Sequence, residues 1–425
     1  MVVEQIDTLV VGAGQAGIAV SEHLHGHSIP HLLLEKARVA EAWRSGRWDG
    51  LVTNGPVWHD RFPNLEFEGD APDAFVSKDR VAAYLEDYAR KVSAPIQTGV
   101  EVHKASRLEG RRGFRVETSQ GTIEANRIVA ATGAFQTPVI PKIVPDEASV
   151  AQIHSYHYRS PDQLAEGAVL VVGSGSSGAQ IADELNRHGR QVHLSVGPHD
   201  RPPRRYRGRD FVWWLGVLGL WDLAAQEPGT EHVTIAVSGA YGGQTMDFRR
   251  LAHEGVSLHG RTATFEDGAI TFAPDLQTNI LAGDANYLGM LDAADAYAAR
   301  MGLDLPPDPD ARALPSDPEC LQSPILQLDL ARQNIGTIIW ATGFSRDYSW
   351  LNIDGFDDMG APIHQRGVSC EPDVYFLGLP WQSRRGSTFL WGVWHDAKFI
   401  ADQIAIQRAY ADYDGHAETI QNAAE

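Results

Sequence analysis

"TLVVGAGQAGIAVSEHL" (residues 8–24) and "VLVVGSGSSGAQIADEL" (169–185) decide the fold. Each reads as a short apolar strand, a glycine loop and the start of a helix. The first places Gly12, Gly14 and Gly17 in G-x-G-x-x-G spacing, and the second repeats it with Gly173, Gly175 and Gly178. In this pattern the first glycine makes the tight turn. The second lets the backbone approach a pyrophosphate, and the third lets the helix pack on the strand. The helix then points its N-terminal amides at the phosphates. Two such units, far apart in the chain, predict two nucleotide-binding domains rather than a solenoid repeat.

The residues after the two loops differ. "HLLLEK" (31–36) ends a second strand in Glu35, at about the 20-residue distance where an acid hydrogen-bonds a ribose diol. An acid there repels a 2′-phosphate, so FAD or NAD is expected, with Lys36 beside it. After the second loop, "QVHLSV" (191–196) carries Ser195 at the equivalent place, and "DRPPRRYRGRD" (200–210) comes next with five arginines. Guanidinium groups bind phosphate in bidentate fashion. The missing acid and the added arginines, Arg204 and Arg205 foremost, point to NADPH. Ser176 and Ser177, at the helix start, join its expected contacts. A solvated basic loop in an acidic protein is the alternative.

The fold class expected is α/β, with two Rossmann-like dinucleotide-binding domains. "RIVAATGAFQTP" (127–138) and "TIIWATGFSRDY" (337–348) are strands ending in Ala-Thr-Gly, with Thr132, Gly133, Thr342 and Gly343 near the cofactors. They read as two hinges. The NADPH domain (143–327) is then inserted into a discontinuous FAD domain (1–142 and 328–425). Residues 108–126 read as a hairpin, and 275–326 as a helical insertion followed by a surface loop. The Trp-rich stretch 210–222 reads as a helix packed on the NADPH domain, with a membrane-contacting or substrate-covering helix as the alternative.

Composition narrows the function. The chain has 425 residues, 43% hydrophobic and 21% charged, with a formal net charge of −19, which argues against nucleic acid as a partner. No run approaches the length needed to span a bilayer. The N-terminus shows no signal-peptide pattern. Two cysteines, Cys320 and Cys370, form no C-x-x-C motif and fit a reducing, cytoplasmic compartment. A redox dithiol is therefore not expected as the electron outlet, and no metal site is expected. The histidines His23, His25 and His27 read as a surface helix. A chain that holds FAD and NADPH must pass its electrons on, and O2 needs no protein group beyond a protected flavin.

The residues resemble the flavin-containing monooxygenases and the class B flavoprotein monooxygenases. The likeness rests on both glycine loops, both Ala-Thr-Gly stretches, "AWRSGRW" (42–48), "LVTNGP" (51–56), "IHSYHYRS" (153–160) and "FLGLPWQ" (376–382). His154 and Tyr158 match the family fingerprint between the loops, whereas Ala148 and Val150 stand where Phe and Gly are usual. The resemblance implies that Trp43 lies beside the isoalloxazine, that Thr53 and Asn54 sit at its reactive edge with Asn54 as the catalytic amide, and that Gln382 is a family cofactor residue. It implies that NADPH reduces FAD, that O2 then gives a C4a-(hydro)peroxyflavin shielded by NADP+, and that a small organic substrate is oxygenated at nitrogen, sulfur, a ketone or a ring. An NADPH oxidase or flavin reductase releasing H2O2, and a redox-responsive flavoprotein partner, are the competing readings. The expected partners are the substrate and O2, with a homodimer left open.

Overall fold

The computed structural model describes residues 4–224 and 234–413. Among these, packing divides the chain into two compact units. One comprises residues 4–40, 85–133 and 347–413, the other 41–84, 134–224 and 234–346. The chain changes unit directly after Ala131-Thr132-Gly133 and shortly after Ala341-Thr342-Gly343.

The first unit is built on a ten-stranded sheet. Its strand Glu4–Val11 runs parallel to both His31–Glu35 and Gly121–Ala130, and His31–Glu35 runs parallel to Ile96–Thr98. The hydrophobic runs are buried on both faces, with Leu9, Val10, Leu33 and Ile128 inaccessible, as a parallel sheet covered by helices requires. The hairpin read at 108–126 is formed by Phe114–Thr118 and Gly121–Ala130, paired antiparallel, and Val102–Arg107 adds a third antiparallel strand. Gly121–Ala130 is long enough to hold the hairpin with its first half and Val374–Phe376 with its second. That pairing brings the C-terminal segment into the sheet. The helix Leu390–Ala411 then packs on the helix Gln15–Gly26 that follows the first glycine loop. His23 turns into this contact, with its Nε2 3.2 Å from the Trp394 carbonyl, so the histidine helix is only partly a surface one.

The second unit holds a five-stranded parallel sheet in the order Ser257–His259, Val192–Ser195, Ala168–Val172, Ile335–Trp340, Ala151–His154. Successive strands leave Ala168–Val172 first toward one edge and later toward the other. The reversal of order therefore falls between Ala168–Val172 and Ile335–Trp340, where open parallel sheets bind their ligands. The helix Leu276–Met301 lies in the stretch read as a helical insertion, and a three-stranded antiparallel sheet that was not expected (Thr262–Glu266, Ala269–Phe272, Gln327–Asp329) flanks it in sequence. The Trp-rich stretch forms a short helix, Phe211–Val217, and a 3-10 turn, Leu220–Asp222. Trp214 and Trp221 are buried and donate their indole N–H groups to the carbonyls of Tyr206 and Val212. Among the described residues no helix is long and apolar enough to cross a membrane.

Three boundaries differ from the expectation. The second unit begins at Ala134 instead of 143 and runs to Arg346 instead of 327, so the strand Ile335–Trp340, expected with the first glycine loop, belongs to the second sheet. The range 1–142 also kept residues 41–84 with the first glycine loop, but they pack with the second unit. Asp49 N–H bonds the Arg159 carbonyl (2.8 Å), and Asn54 is held by both Gln180 and Arg204. Segment 41–84 therefore returns to partners far along the chain, which local pattern does not reveal.

Candidate functional site

The first glycine loop is shaped for a dinucleotide. Gly12 sits at φ +110°, and a Cβ there would lie 2.5 Å from the Ala131 carbonyl oxygen. A Cβ on Gly17 would collide with the Gly12 carbonyl. A Cβ on Gly14 would meet no atom of the described residues within 4 Å beyond its own neighbouring backbone. Gly14 is also the N-cap of the helix Gln15–Gly26, with extended backbone and no side-chain cap. Open space at the middle glycine, above a helix N-terminus, fits a pyrophosphate. Glu35 is half-buried, and its two oxygens accept from the N–H groups of Ala13 (3.0 Å) and Ala37 (2.9 Å). This carboxylate is thereby fixed at the strand end with lone pairs left for a ribose diol. Lys36 beside it is exposed. Thr132 and Gly133 follow the neighbouring strand Gly121–Ala130, and Gly133 is at φ +81°.

The second loop repeats the geometry with one difference. Gly173 packs on the Ala341 carbonyl (2.5 Å to an added Cβ), and Gly178 packs on Gly173. At Gly175 an added Cβ would lie 3.1 Å from the Thr234 methyl. Ser176 Oγ donates to the Ile235 carbonyl at 2.7 Å, and Ser177 is half-buried. The Ser195 hydroxyl donates to the Gly260 carbonyl (2.9 Å) and accepts from the Thr262 N–H (3.0 Å), so it braces the adjoining strand. Thr342 donates to the Val139 carbonyl (2.5 Å), and the Gly343 carbonyl accepts from Val139 N–H (3.0 Å).

Arg204 corrects an expectation. It is buried, paired with Asp210 at 2.6 Å, and donates to the Asn54 carbonyl at 2.6 Å. Its guanidinium lies 4.6 Å from the ring centroids of both Phe75 and Phe211. A guanidinium so occupied does not reach a phosphate. Arg201 and Arg207 are likewise held by Asp247, Asp284 and Asp295. Arg205 is exposed. The arginine at the end of the second sheet is one that sequence reading missed, Arg261. Register pairs Ser195 with His259, which brings Arg261 beside Gly197; an added Cβ there would lie 3.5 Å from Arg261 Cγ. Its Nε bonds Asp275 (2.6 Å), and the side chain is exposed. The available signal was the Gly-Arg pair directly after the strand Ser257–His259.

Asn54 lies in the second unit and is half-buried. Its Oδ1 accepts from Gln180 Nε2 at 2.9 Å, and Gln180, on the helix after the second loop, also donates to the Val237 carbonyl (2.5 Å). With the oxygen committed, the amide NH2 is the end of Asn54 left to donate outward. The preceding Thr53 is buried and pinned to Val76 in both directions (2.8 and 3.2 Å). Trp43 belongs to the short helix Glu41–Ser45 and is half-buried. Gln382 is buried; its oxygen accepts from the N–H groups of Gly378 and Leu379, and its nitrogen donates to the Arg366 carbonyl. It shapes the loop before the C-terminal helix.

The fingerprint residues are structural clamps. His154 Nε2 donates to the Gly343 carbonyl (3.0 Å) while Nδ1 accepts from Tyr156 N–H, and burial lowers its pKa. Tyr158 donates to Glu184 (2.8 Å) on the helix Ser176–Arg187, and desolvation raises its pKa strongly. A surface cavity of about 450 Å³ near Arg201, Thr245 and Tyr287 takes no residue from either glycine loop.

Residues 9–207 match the model of the pyridine nucleotide-disulphide oxidoreductase family. A CzcO-like oxidoreductase from Geobacillus kaustophilus is 34% identical over 94% of this chain and 98% of its own length. The chain belongs to the CzcO-like oxidoreductases. A probable indole-3-pyruvate monooxygenase of Arabidopsis thaliana, YUCCA1, is 32% identical over 44% of this chain and 46% of its own. Among solved structures, the flavin-containing monooxygenase from Stenotrophomonas maltophilia superposes with a TM-score of 0.66 at 19% identity, covering 95% of this chain and 99% of that one. That likeness concerns the mixed α/β fold with its Rossmann-like core. The protein is thus an oxidoreductase, with two loops whose shapes fit a flavin and a nicotinamide cofactor.

Proposed function

We propose that this oxidoreductase is an NADPH-dependent FAD monooxygenase acting on a small organic substrate. The carrying observation is the open space at Gly14 above a helix N-terminus, beside a carboxylate at Glu35 already oriented by two backbone amides. Those residues would hold FAD, which supplies two-electron chemistry and O2 activation when bound. The inserted segment around Gly173, Gly175 and Gly178 would hold the nicotinamide dinucleotide, with Arg261 and Arg205 toward the 2′-phosphate.

Asn54 is assigned as the amide that donates to a developing negative charge. Its orientation comes from Gln180, and a fixed uncharged donor in a dry site stabilises charge without surrendering a proton. The disulfide chemistry in the family's description is not favoured here. Cys320 is half-buried and desolvation raises its thiol pKa, which disfavours the nucleophilic thiolate. The Arabidopsis thaliana relative carries the name probable indole-3-pyruvate monooxygenase, which supports a small substrate with an apolar part.

The test is reduction of the purified yellow protein by NADPH without oxygen, followed by labelled O2 and a substrate panel with product mass analysis. Labelled product in step with NADPH consumed supports the assignment. Electrons recovered only as H2O2 across the panel would replace it with an oxidase, and protein that takes up no FAD would end it.

A further inference from the structure

Arg47 has an unusual setting in the second unit. Its guanidinium carbon lies 4.7 Å from the ring centroid of Phe135 and 5.7 Å from that of Trp43. Its one hydrogen bond to protein among the described residues runs from Nη1 to the neighbouring Gly46 carbonyl at 3.1 Å. No carboxylate of the described residues pairs with it, although 55 Asp and Glu outnumber 36 Lys and Arg in the chain. The buried arginines Arg127, Arg201, Arg204 and Arg249 all have acids. Arg47 is crowded enough that desolvation pulls its pKa down to about 10, still fully charged at neutral pH. Most of a rigid five-donor fork is therefore presented between aromatic faces without an acceptor among the described residues.

The surroundings extend the cage. Phe344 meets Phe135 edge-on (5.2 Å) and Tyr156 edge-on (5.9 Å). Phe135 is 50% exposed, so one wall is open. Phe344 follows Gly343 at the carboxyl end of Ile335–Trp340, the strand next to the glycine loop at the reversal of strand order. Tyr156 follows the next strand, Ala151–His154. The cage is thus at the ligand-binding end of this sheet.

We propose that Arg47 anchors the oxyanion of a ligand whose flat, apolar part lies against Trp43, Phe135 and Phe344, and that this ligand is a substrate carboxylic acid. The assignment to substrate rests on the monooxygenase reading; the anion site itself does not. A phosphate of the nicotinamide dinucleotide offers similar chemistry, but the amides of the second glycine loop are placed for that group. A carboxylate accepts two parallel N–H bonds from a guanidinium, and flat apolar surface completes the complement of the cage.

The test is equilibrium binding to the FAD-loaded protein, which needs no turnover. Phenylpyruvate is the acid probe, 1-phenylpropan-2-one its neutral counterpart, and NADP+ the phosphate probe. Wild type is expected to bind the acid at least about tenfold tighter than the ketone. Arg47→Gln should weaken the acid by about ten- to a hundredfold, the range of one charge-assisted contact, and leave ketone and NADP+ within about twofold. Arg47→Lys should retain part of the acid preference as a point charge. Phe135→Ala, which opens the cage and keeps the guanidinium, should weaken acid and ketone by the same factor, and it stands in should the Gln variant fail to fold. Equal binding of acid and ketone by wild type overturns the proposal, as does a Gln variant that loses NADP+ and keeps the acid. An acid that binds through Arg47 but yields no labelled product sinks the monooxygenase reading and leaves the site standing.

Discussion

Replacing Gly14 by alanine separates cofactor binding from folding. Gly14 has φ −84° and ψ −167°, a region open to any residue, and an added Cβ meets no atom of the described residues within 4 Å beyond its own neighbouring backbone. Alanine lowers the entropy of the unfolded chain and gains about 0.4–1 kcal/mol. Glycine is the better N-cap, which offsets a similar amount. The apoprotein should therefore melt within about 1 kcal/mol of wild type. The same Cβ occupies the space where a pyrophosphate crosses the helix N-terminus. Loss of one charge-assisted amide–phosphate bond costs about 1.5–3 kcal/mol, and roughly tenfold to more than a hundredfold in FAD affinity. Gly17→Ala is the contrast: its Cβ collides with the Gly12 carbonyl, and the apoprotein should lose about 1–3 kcal/mol or more. The assays are thermal melting of stripped protein and titration of FAD into it. A Gly14→Ala protein that binds FAD as wild type does refutes the loop as a pyrophosphate cradle, whatever its stability.

Other outcomes depend on particular contacts. Asn54→Ala should keep its FAD and its NADPH reduction rate while shifting the electrons from oxygenated product to H2O2; Gln180→Ala should do the same more weakly by releasing the Asn54 amide. A peroxide yield that does not rise in either variant removes Asn54 from the chemistry. Arg261→Gln should weaken NADPH by about tenfold or more and spare NADH. By contrast Arg204→Gln, which strips a buried pair from Asp210, should lower the melting temperature. Equal loss of both coenzymes in Arg261→Gln would deny it the 2′-phosphate. His193 and His259 are buried and stacked, with Nδ1 and Nε2 3.0 Å apart, and burial holds both at about 4. Unfolded histidine titrates near 6.5, so the unfolded chain binds the extra protons below that pH. Their contribution to stability is whole at pH 7, falls as pH drops below about 6.5, and is gone near 4. By pH 5 the loss is about 2 kcal/mol per ring, read as a lower urea midpoint; a midpoint that does not fall would contradict it.

Both glycine loops, the acid at Glu35 and the strands around them were legible in the sequence, because a turn that needs Gly12 at φ +110° and a helix starting beyond it are written in neighbouring residues. The first change of unit, after Ala131-Thr132-Gly133, lies close to the expected one, whereas the second was expected before the strand Ile335–Trp340 and falls after it, because that strand pairs with Ala168–Val172 from far along the chain. Side-chain partnership was not. The arginine run at 200–210 looked like one phosphate site, yet Arg201, Arg204 and Arg207 find their carboxylates at Asp247, Asp284, Asp210 and Asp295, mostly far along the chain. Arg261 gained its place through the parallel pairing of Ser257–His259 with Val192–Ser195, a register that no single segment specifies. The same holds for Gln180 over Asn54 and for segment 41–84, which leaves the unit it borders in sequence. The sequence by itself determined where backbone could approach a phosphate, since that depends on local φ, ψ and the absence of Cβ. Which charges remain available for a ligand was decided by the tertiary structure alone, since a guanidinium is free or spent according to acids brought to it from elsewhere in the chain.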